Sequence, residues 1–200
     1  AKSKHSAQAP FLYELITQVI EKKMDDNSCK NIESLRKELC TQERTIKITD
    51  FGAGSNINNS KTRKVKDVAK NSAKNAKFGK LLYRIIQFYK PKNIIELGTS
   101  LGISTSYLAK ADANAHVFTI ESCPETAKIA QENFDKQNIT NTSITLGDFN
   151  LTLSEKLKEI ETVDLAFIDG NHQENPTIAY FEECLKYANN NTIFIFDDIH

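Results

Sequence analysis

Five short apolar segments, separated by stretches of helical length, occupy the second half of this chain. The segments are NIIELG (93–98), HVFTIES (116–122), SITLGD (143–148), VDLAFIDG (163–170) and TIFIFDDI (192–199). Almost continuously apolar strands that alternate with helices are typical of a parallel sheet with helices on both faces. Residues 93–200 are therefore predicted to form a doubly wound, mostly parallel α/β fold.

The composition agrees with one domain of this class and excludes several other kinds of chain. The 200 residues are 40% hydrophobic, enough for a sizeable core, which a disordered chain lacks. No apolar run approaches the roughly 20 residues that cross a bilayer. The polar start AKSKHSAQAP has no apolar region of the kind found in secretory signals, and the four scattered cysteines contain no CxxC pair. We expect a cytoplasmic protein with reduced thiols and no membrane contact.

The first 92 residues have a different pattern, which predicts a helical extension over 1–92 beside a core over 93–200. Apolar residues at helical spacing follow Pro10. A long helix is predicted over 65–90, with a break near Gly79. The chain is therefore predicted to have two regions of different construction.

Two polar segments of the extension are candidate contacts for a lid and for an anion. They are the turn DFGAGS (50–55) and the stretch 61–80, which has eight Lys and Arg against one Asp; residues 55–64 are polar and predicted to be mobile. A solvated helix face explains most basic stretches. If the protein acted on RNA, the stretch would be its electrostatic footprint, but no set of aromatic side chains for stacking accompanies it. Nucleic acid is therefore the second hypothesis for a partner.

Acidic residues follow every one of the five predicted strands. In doubly wound sheets, ligands bind beyond the carboxyl ends of the strands. The acids at these positions are Glu96, Glu121, Asp148, Asp169, Asp197 and Asp198. A sheet with only a structural role has no reason to collect carboxylates at one edge, so the series predicts a binding site there.

The loop after the first strand, IIELGTSLGIST, favours one class of cofactor over another. Gly98 and Gly102 allow a tight turn to which a ligand can come close. A nicotinamide fingerprint would have the spacing GxGxxG and would bind a pyrophosphate. Here the spacing is GxxxG, and Glu96 would repel a pyrophosphate but accept from an ammonium group. Since a Tyr-x-x-x-Lys pair after the fourth strand is also missing, a nicotinamide oxidoreductase is the less favoured enzyme.

This loop resembles motif I of the class I S-adenosylmethionine (SAM)-dependent methyltransferases. The resemblance implies that the methionine end of SAM lies on the turn, above Glu96. It also implies that Glu121 holds the ribose, for which a carboxylate is suited, that Asp148 meets the adenine, and that the neighbouring Ser122 and Phe149 contact the cofactor. The residues of the turn implied to bind SAM are Gly98, Thr99, Ser100 and Gly102.

The last two loops resemble those of O-methyltransferases of the catechol and caffeoyl-coenzyme A type, and of a broader group with the pattern DG-x-H. The Asp/Asn-Pro-Pro-Tyr/Phe motif of base-amino methyltransferases and the nucleophilic cysteine of cytosine-C5 enzymes are both missing from FIDGNHQENP. The resemblance implies that Asp169 contacts the cofactor and takes part in catalysis. His172 stands where the catechol enzymes have a catalytic lysine, so it is a candidate general base. A loop histidine that only orients Asp169 is the alternative, and His200 could face the same pocket.

Three acids at adjacent strand ends form a candidate metal site. Asp169, Asp197 and Asp198 supply the hard oxygen ligands that Mg²⁺ or Ca²⁺ prefer. A bound metal would lower the pKa of a substrate hydroxyl. Asp198 stands where the catechol enzymes have an asparagine, and the three carboxylates could instead hydrogen-bond the substrate directly.

Together these features predict a SAM-dependent methyltransferase that acts on an oxygen of a small molecule, with the N-terminal extension as a cap on the substrate side. The alternatives are an RNA-directed methyltransferase and a module that binds SAM or a nucleotide without catalysis. The strands, numbered one to five from residue 93, should have the order 3-2-1-4-5. The superfamily typically has a sixth and a seventh strand, so we expect the chain to be a fragment, or its fifth strand to be covered by the partner subunit of a homodimer or by the N-terminal segment.

Overall fold

The N-terminal part of the protein combines helices with a two-stranded sheet. The computed structural model describes residues 9–24, 26–49, 61–72, 75–171 and 173–197. The elements are α1 (Pro10–Glu14), a π-helical segment (Leu15–Ile20), a 3₁₀ turn (Asp26–Cys29), α2 (Lys30–Leu39), β1 (Thr45–Ile48), β2 (Lys61–Lys64), α3 (Val65–Ser72) and α4 (Ala76–Tyr89). The DFGAGS turn, His172, Asp198 and His200 lie outside the described residues.

From residue 93 onward, strands and helices alternate as the apolar segments predict. The elements are β3 (Asn93–Leu97), α5 (Ile103–Ala111), β4 (His116–Glu121), α6 (Pro124–Lys136), β5 (Thr142–Leu146), α7 (Phe149–Ile160), β6 (Val163–Ile168), α8 (Glu174–Leu185) and β7 (Ala188–Phe196). Each predicted strand is found, because each is apolar enough to be buried between helices.

The five core strands run parallel in the order β5-β4-β3-β6-β7. The predicted order is confirmed, with strand numbers higher by two because β1 and β2 precede the core. The central strand β3 is covered on both faces, and its Ile94, Ile95 and Leu97 are buried accordingly. Since the chain turns from one side of β3 to the other between β5 and β6, the loops after β3, β4 and β6 surround the crevice in which such sheets bind ligands.

Helices cover both faces of this sheet. On one face, α4 and α5 contribute Leu82, Ile86 and Leu108 to a core shared with β3, β4 and β6. On the other face, α7 and α8 contribute Leu157 and Tyr180. The doubly wound α/β prediction is therefore confirmed. Within the described ranges, no helix has the length and apolar character needed to cross a membrane.

Residues 61–64 form a strand, contrary to the prediction of a mobile stretch there. β1 and β2 pair antiparallel along their full length, so the extension is not purely helical. Glu43 forms ion pairs with Lys64, at 2.8 Å, and with Lys66. Hydrogen bonds from these two lysines lower the pKa of Glu43 to about 2. Part of the basic stretch is thus balanced by a neighbouring acid on an exposed surface.

The predicted helix over 65–90 is interrupted, but the interruption is not at Gly79. α3 ends at Ser72, and α4 begins after Asn75, whose side chain accepts a hydrogen bond from the Phe78 amide at 3.0 Å. Gly79 lies inside α4, buried against the ring of Tyr107 on α5. The asparagine cap, and not the glycine, therefore sets the helix boundary.

Candidate active site

The turn after β3 lies directly against the loop after β6. Gly98 has φ 101°, and a β-carbon there would come within 2.7 Å of the backbone oxygen of Asp169. Only glycine combines that backbone angle with so close an approach. The Asp169 amide in turn donates to the Leu97 oxygen at 3.0 Å. Two of the predicted site residues, Gly98 and Asp169, are therefore neighbours.

The rest of the turn is held from α6. Asn133 is buried on α6 and donates from its side-chain amide to the Leu101 oxygen at 2.8 Å. Ser100 adopts a left-handed conformation, with φ 48°, and Gly102 directly precedes α5. The backbone of the predicted cofactor turn is thus held in place by the neighbouring helix α6.

Glu96 lies beneath this turn, at the end of β3, and is fully buried. Its Oε2 accepts hydrogen bonds from the hydroxyls of Thr105, at 2.5 Å, and Thr119, at 2.7 Å. Its Oε1 has no hydrogen-bond partner among the described residues. Burial raises the pKa of Glu96 to about 7, against the lowering effect of the hydroxyl hydrogen bonds. The group can therefore take up a proton near neutral pH, and an ionised Glu96 would favour a cation above it.

Glu121 joins the loops after β3 and β4. Its Oε2 accepts from the Ser100 amide at 2.7 Å, and its Oε1 accepts from the Cys123 amide at 2.8 Å. The side chain is buried, and burial raises the pKa of Glu121 although backbone hydrogen bonds oppose the effect. Because a carboxylate oxygen can accept more than one hydrogen bond, both oxygens keep the capacity to accept from a ligand. Ser122, between Glu121 and Cys123, is half-buried.

Asp148 has a local role that the sequence analysis missed: it caps α7. Its Oδ1 accepts from the backbone amide of Asn150 at 2.7 Å and from the side-chain amide of Asn150 at 2.9 Å. An Asp directly before a helical pattern is the signal that could have predicted this cap. No described residue donates to Oδ2, so that oxygen is left for a ligand. Phe149, the next residue, packs edge-to-face on Tyr180 with 5.9 Å between the ring centroids.

Asp169 and Asp197 follow adjacent strands, β6 and β7, which pair in register up to Ile168 and Phe196. The Asp197 amide donates to the Ile168 oxygen at 3.1 Å, so the two acids begin neighbouring loops. Within the described part of the chain, no three metal-binding side chains come together. Mg²⁺ can be held by one or two carboxylates with water completing its coordination, and the third predicted ligand, Asp198, lies outside that part. The metal therefore stays a prediction.

The loop after β6 also contains a residue that sequence reasoning missed. Asn171 has φ 72°, a left-handed conformation that asparagine tolerates, and donates to the Tyr180 hydroxyl at 3.2 Å. Nothing in the sequence links these two residues, because one follows β6 and the other lies in the middle of α8.

Comparison with known proteins identifies relatives of this arrangement. Residues 95–199, just over half of the chain, match the family described as a methyltransferase domain. The catechol O-methyltransferase of Niastella koreensis is 32% identical over 124 residues, which cover 60% of this chain and 55% of that protein. The catechol O-methyltransferase of Mycobacterium tuberculosis is 25% identical over 133 residues, which cover 64% and 57%. The chain thus spans a little over half the length of these curated relatives.

Solved structures share the fold. A methyltransferase from Podospora anserina, bound to S-adenosylhomocysteine (SAH), matches with a TM-score of 0.63 at 19% identity, over 98% of this chain and 71% of that one. An O-methyltransferase from Bacillus cereus, also in complex with SAH, matches with a TM-score of 0.59 at 23% identity, over 94% and 72%. Likeness at these identities concerns the fold, and it supports the Rossmann-like methyltransferase architecture. Because the family model matches more than half of the residues of this chain, the chain belongs to the methyltransferase domain family.

Proposed function

We propose that this protein is an enzyme that transfers the methyl group of SAM to a hydroxyl oxygen of a small molecule. Catechol is the first acceptor to test, since the two curated relatives described above are catechol O-methyltransferases. The observation that carries the proposal is Glu121, whose two oxygens are held by backbone amides where the loops after β3 and β4 meet. A ribose presents two neighbouring hydroxyls, and a fixed carboxylate can accept from both.

The cofactor would lie along the carboxyl ends of β3, β4 and β5. Glu96 would lie beneath its methionine end, Glu121 would hold the ribose, and the Oδ2 of Asp148 would accept from the adenine amino group. When bound, SAM supplies an electrophilic methyl group on a sulfonium. The protein contributes mainly by holding this methyl group and the acceptor oxygen in line.

In the transfer step, the acceptor oxygen bonds to the methyl carbon while the carbon–sulfur bond breaks. SAH leaves with the bonding electron pair, and the hydroxyl proton goes to a base. We assign that base to His172, which follows Asp169 closely in the loop after β6, because the ordinary histidine pKa of about 6.5 lies near neutral pH. Asp169 would orient the imidazole and the acceptor.

A divalent cation is an optional part of this proposal. Mg²⁺ or Ca²⁺ would be held by Asp169 and Asp197 together with Asp198, through oxygen ligands of the kind these ions prefer. Its chemistry there would be to lower the pKa of the acceptor hydroxyl. The direct transfer described above does not depend on it.

We infer that the reaction takes place in the cytoplasm. All four cysteines are free thiols, and Cys29, Cys123 and Cys184 are buried. Burial raises the pKa of Cys29 to about 11 and that of Cys184 to about 12, which makes both thiols unreactive. Thiols without disulfides are typical of reducing compartments.

Mass spectrometry of catechol incubated with the protein and SAM tests the proposed activity. We expect a product heavier by one methyl group, formed only when protein and SAM are both present. Glu121→Gln should lower turnover at sub-saturating SAM by about tenfold or more, because hydrogen bonds to a charged group are lost. Glu155→Gln, an exposed position on α7, is the matched control and should have no effect.

The outcomes separate the rival functions. SAH binding without turnover of catechol or other hydroxylated compounds would indicate a module that binds the cofactor without catalysis. Methylation of RNA in place of small molecules would favour the RNA-directed alternative. A protein that binds neither SAM nor SAH would refute the proposal as a whole.

A further inference from the structure

The turn after β3 is held from two sides, and each side acts on a different part of it. The first part is tied to β4. The Gly98 amide donates to the Ile120 oxygen at 3.0 Å, and the hydroxyls of Thr99 and Thr119 are hydrogen-bonded at 2.6 Å. The second part begins at Leu101, whose oxygen is held by the side chain from α6 described above. The two parts can therefore be disturbed separately.

The peptide group between Leu101 and Gly102 is fixed at both of its ends. Its oxygen accepts from the Asn133 side-chain amide at 2.8 Å, and its N–H donates to the Thr99 oxygen, also at 2.8 Å. Because the C=O and N–H of a planar trans peptide point in opposite directions, the two bonds hold this group in one orientation. Asn133 is 6% exposed and Leu101 2%, and among the described residues Asn133 is the one donor to the Leu101 oxygen.

The bond to Asn133 keeps this peptide group from turning over. A buried oxygen without a donor costs more than a typical hydrogen bond contributes, so the bond to Thr99 alone does not outweigh its loss. Turning the group changes ψ of Leu101, whose side chain can stay buried, and φ of Gly102. Gly102 has φ 79°, and glycine adopts a negative φ about as readily. The hydrogen bond that closes the turn would then be broken.

We propose that Asn133 is a positioning residue, which fixes the Leu101–Gly102 peptide and so shapes the turn to take the methionine end of the cofactor. This inference rests on the proposed function, because it takes the place of the methionine end on this turn from it. Asn133 acts through the Leu101 oxygen and does not touch the cofactor. The ribose contact depends on it less, since Glu121 is also held by the Cys123 amide at 2.8 Å. Asn133 should therefore affect mainly one end of the cofactor.

Calorimetric titration of two ligands tests this role. The ligands are SAH and 5′-methylthioadenosine, which keeps the adenosine and the sulfur but has a methyl group in place of the amino-acid part. The wild-type protein should prefer SAH by about a hundredfold, since that part adds two charged groups that form hydrogen bonds. Asn133→Leu introduces a side chain of similar size without a donor. The preference should then fall about tenfold, the equivalent of one hydrogen bond to a charged group, while affinity for 5′-methylthioadenosine changes little.

Two further variants separate positioning from folding. Asn133→Ser is too short to reach the Leu101 oxygen, so it should lower the preference as well, and it replaces Asn133→Leu if that variant does not fold. Asn141→Ala is the matched control. It removes a side-chain amide that donates to the oxygens of Ala109, at 3.0 Å, and Ala115, at 2.8 Å, at the far end of α5. This control should lower stability but leave the preference unchanged.

The results are distinguishable from a failure of the proposed function. If neither ligand binds the wild-type protein, the proposed function falls and this inference with it. If SAH binds but the wild-type preference is missing, or if the Asn133 variants keep the full preference, the role of Asn133 is overturned while the methyltransferase proposal stands. Equal losses of affinity for both ligands, or a lower preference in Asn141→Ala as well, would show a structural role only and would also overturn it.

Discussion

The buried carboxyl group of Glu96 should make the stability of this protein depend on pH. Its folded pKa is about 7, against an ordinary value of 4.5, and burial is the main cause. Between these two pH values the unfolded chain ionises Glu96 while the folded chain keeps it protonated. The stabilising contribution is therefore fully present below pH 4.5 and is lost as the pH rises through 7. At about 1.4 kcal/mol per pH unit, the loss is on the order of 3 kcal/mol.

Glu96→Gln isolates this contribution. Glutamine is neutral at every pH, and its carbonyl oxygen can take the place of Oε2 in accepting from the Thr105 and Thr119 hydroxyls. The free energy of unfolding of the variant, minus that of the wild-type protein, should therefore rise with pH and level off above pH 7. Other titrating groups, including buried Glu121, are present in both proteins and cancel in the difference.

Urea unfolding followed by circular dichroism, at half-unit steps from pH 5 to 8 and constant ionic strength, measures this difference. The protein is titrated without ligand. Glu155→Gln, exposed on α7, is the control, and its difference from wild type should stay flat. If Glu96→Gln and the wild-type protein gave parallel profiles over this range, Glu96 would be ionised in the folded state and the argument from its burial would be refuted.

Three other changes have outcomes that follow from the geometry. Gly98→Ala should lower the free energy of unfolding, measured in urea, by about 2 kcal/mol or more, because alanine is strained at this positive φ and its β-carbon would meet the Asp169 oxygen. The same variant should bind SAH more weakly. Unchanged stability would contradict the close contact at this turn. Asp148→Ala should lower the free energy of unfolding by about 1 kcal/mol because the helix cap is lost, whereas Asp148→Asn should keep the cap and the stability. Both variants should bind SAH more weakly in calorimetry. Equal stability of the two variants would contradict the cap. If a divalent cation held by Asp169, Asp197 and Asp198 assists the reaction, EDTA should slow catechol methylation and Mg²⁺ should restore the rate. Full activity in EDTA would exclude that role.

The core strands were predictable because a strand that is buried on both faces needs apolar side chains along most of its length. Strands such as β3 and β6 are covered on both faces, so Ile94, Ile95 and Leu97 stand together without polar interruption. The positions of Glu121 and Asp169 followed from the same rule, since each comes at the end of such a strand. The parallel direction of the strands also followed, because each strand is separated from the next by a helix, whereas the strand order was implied by the resemblance to class I methyltransferases.

The N-terminal hairpin was not predictable in the same way. β2 has the sequence KTRK, which carries no apolar alternation, and it is a strand because β1 offers it a backbone partner. The pairing of Glu43 with Lys64 and Lys66 joins the two segments. Such contacts between residues far apart in the chain leave no local pattern to read.

The side-chain hydrogen bonds within the site could not be predicted from the sequence. Glu96 was expected to face an ammonium group, and a sequence cannot tell that the side chain is fully buried and accepts hydrogen bonds from Thr105 and Thr119. The contact of Tyr180 with Asn171 depends on the angle at which α8 packs on the sheet. Side-chain networks of this kind are set by tertiary packing and not by propensity.

Calorimetric titration of SAH into the purified protein, with NADH as the control ligand, tests the central claim most directly. The site described by Gly98, Glu121 and Asp148 predicts micromolar binding of SAH and no binding of NADH, because the spacing of the turn is GxxxG and Glu96 offers a carboxylate where a pyrophosphate would need amides or cations. Binding of NADH with comparable affinity, or no binding of SAH, would contradict the assignment of this edge of the sheet to SAM.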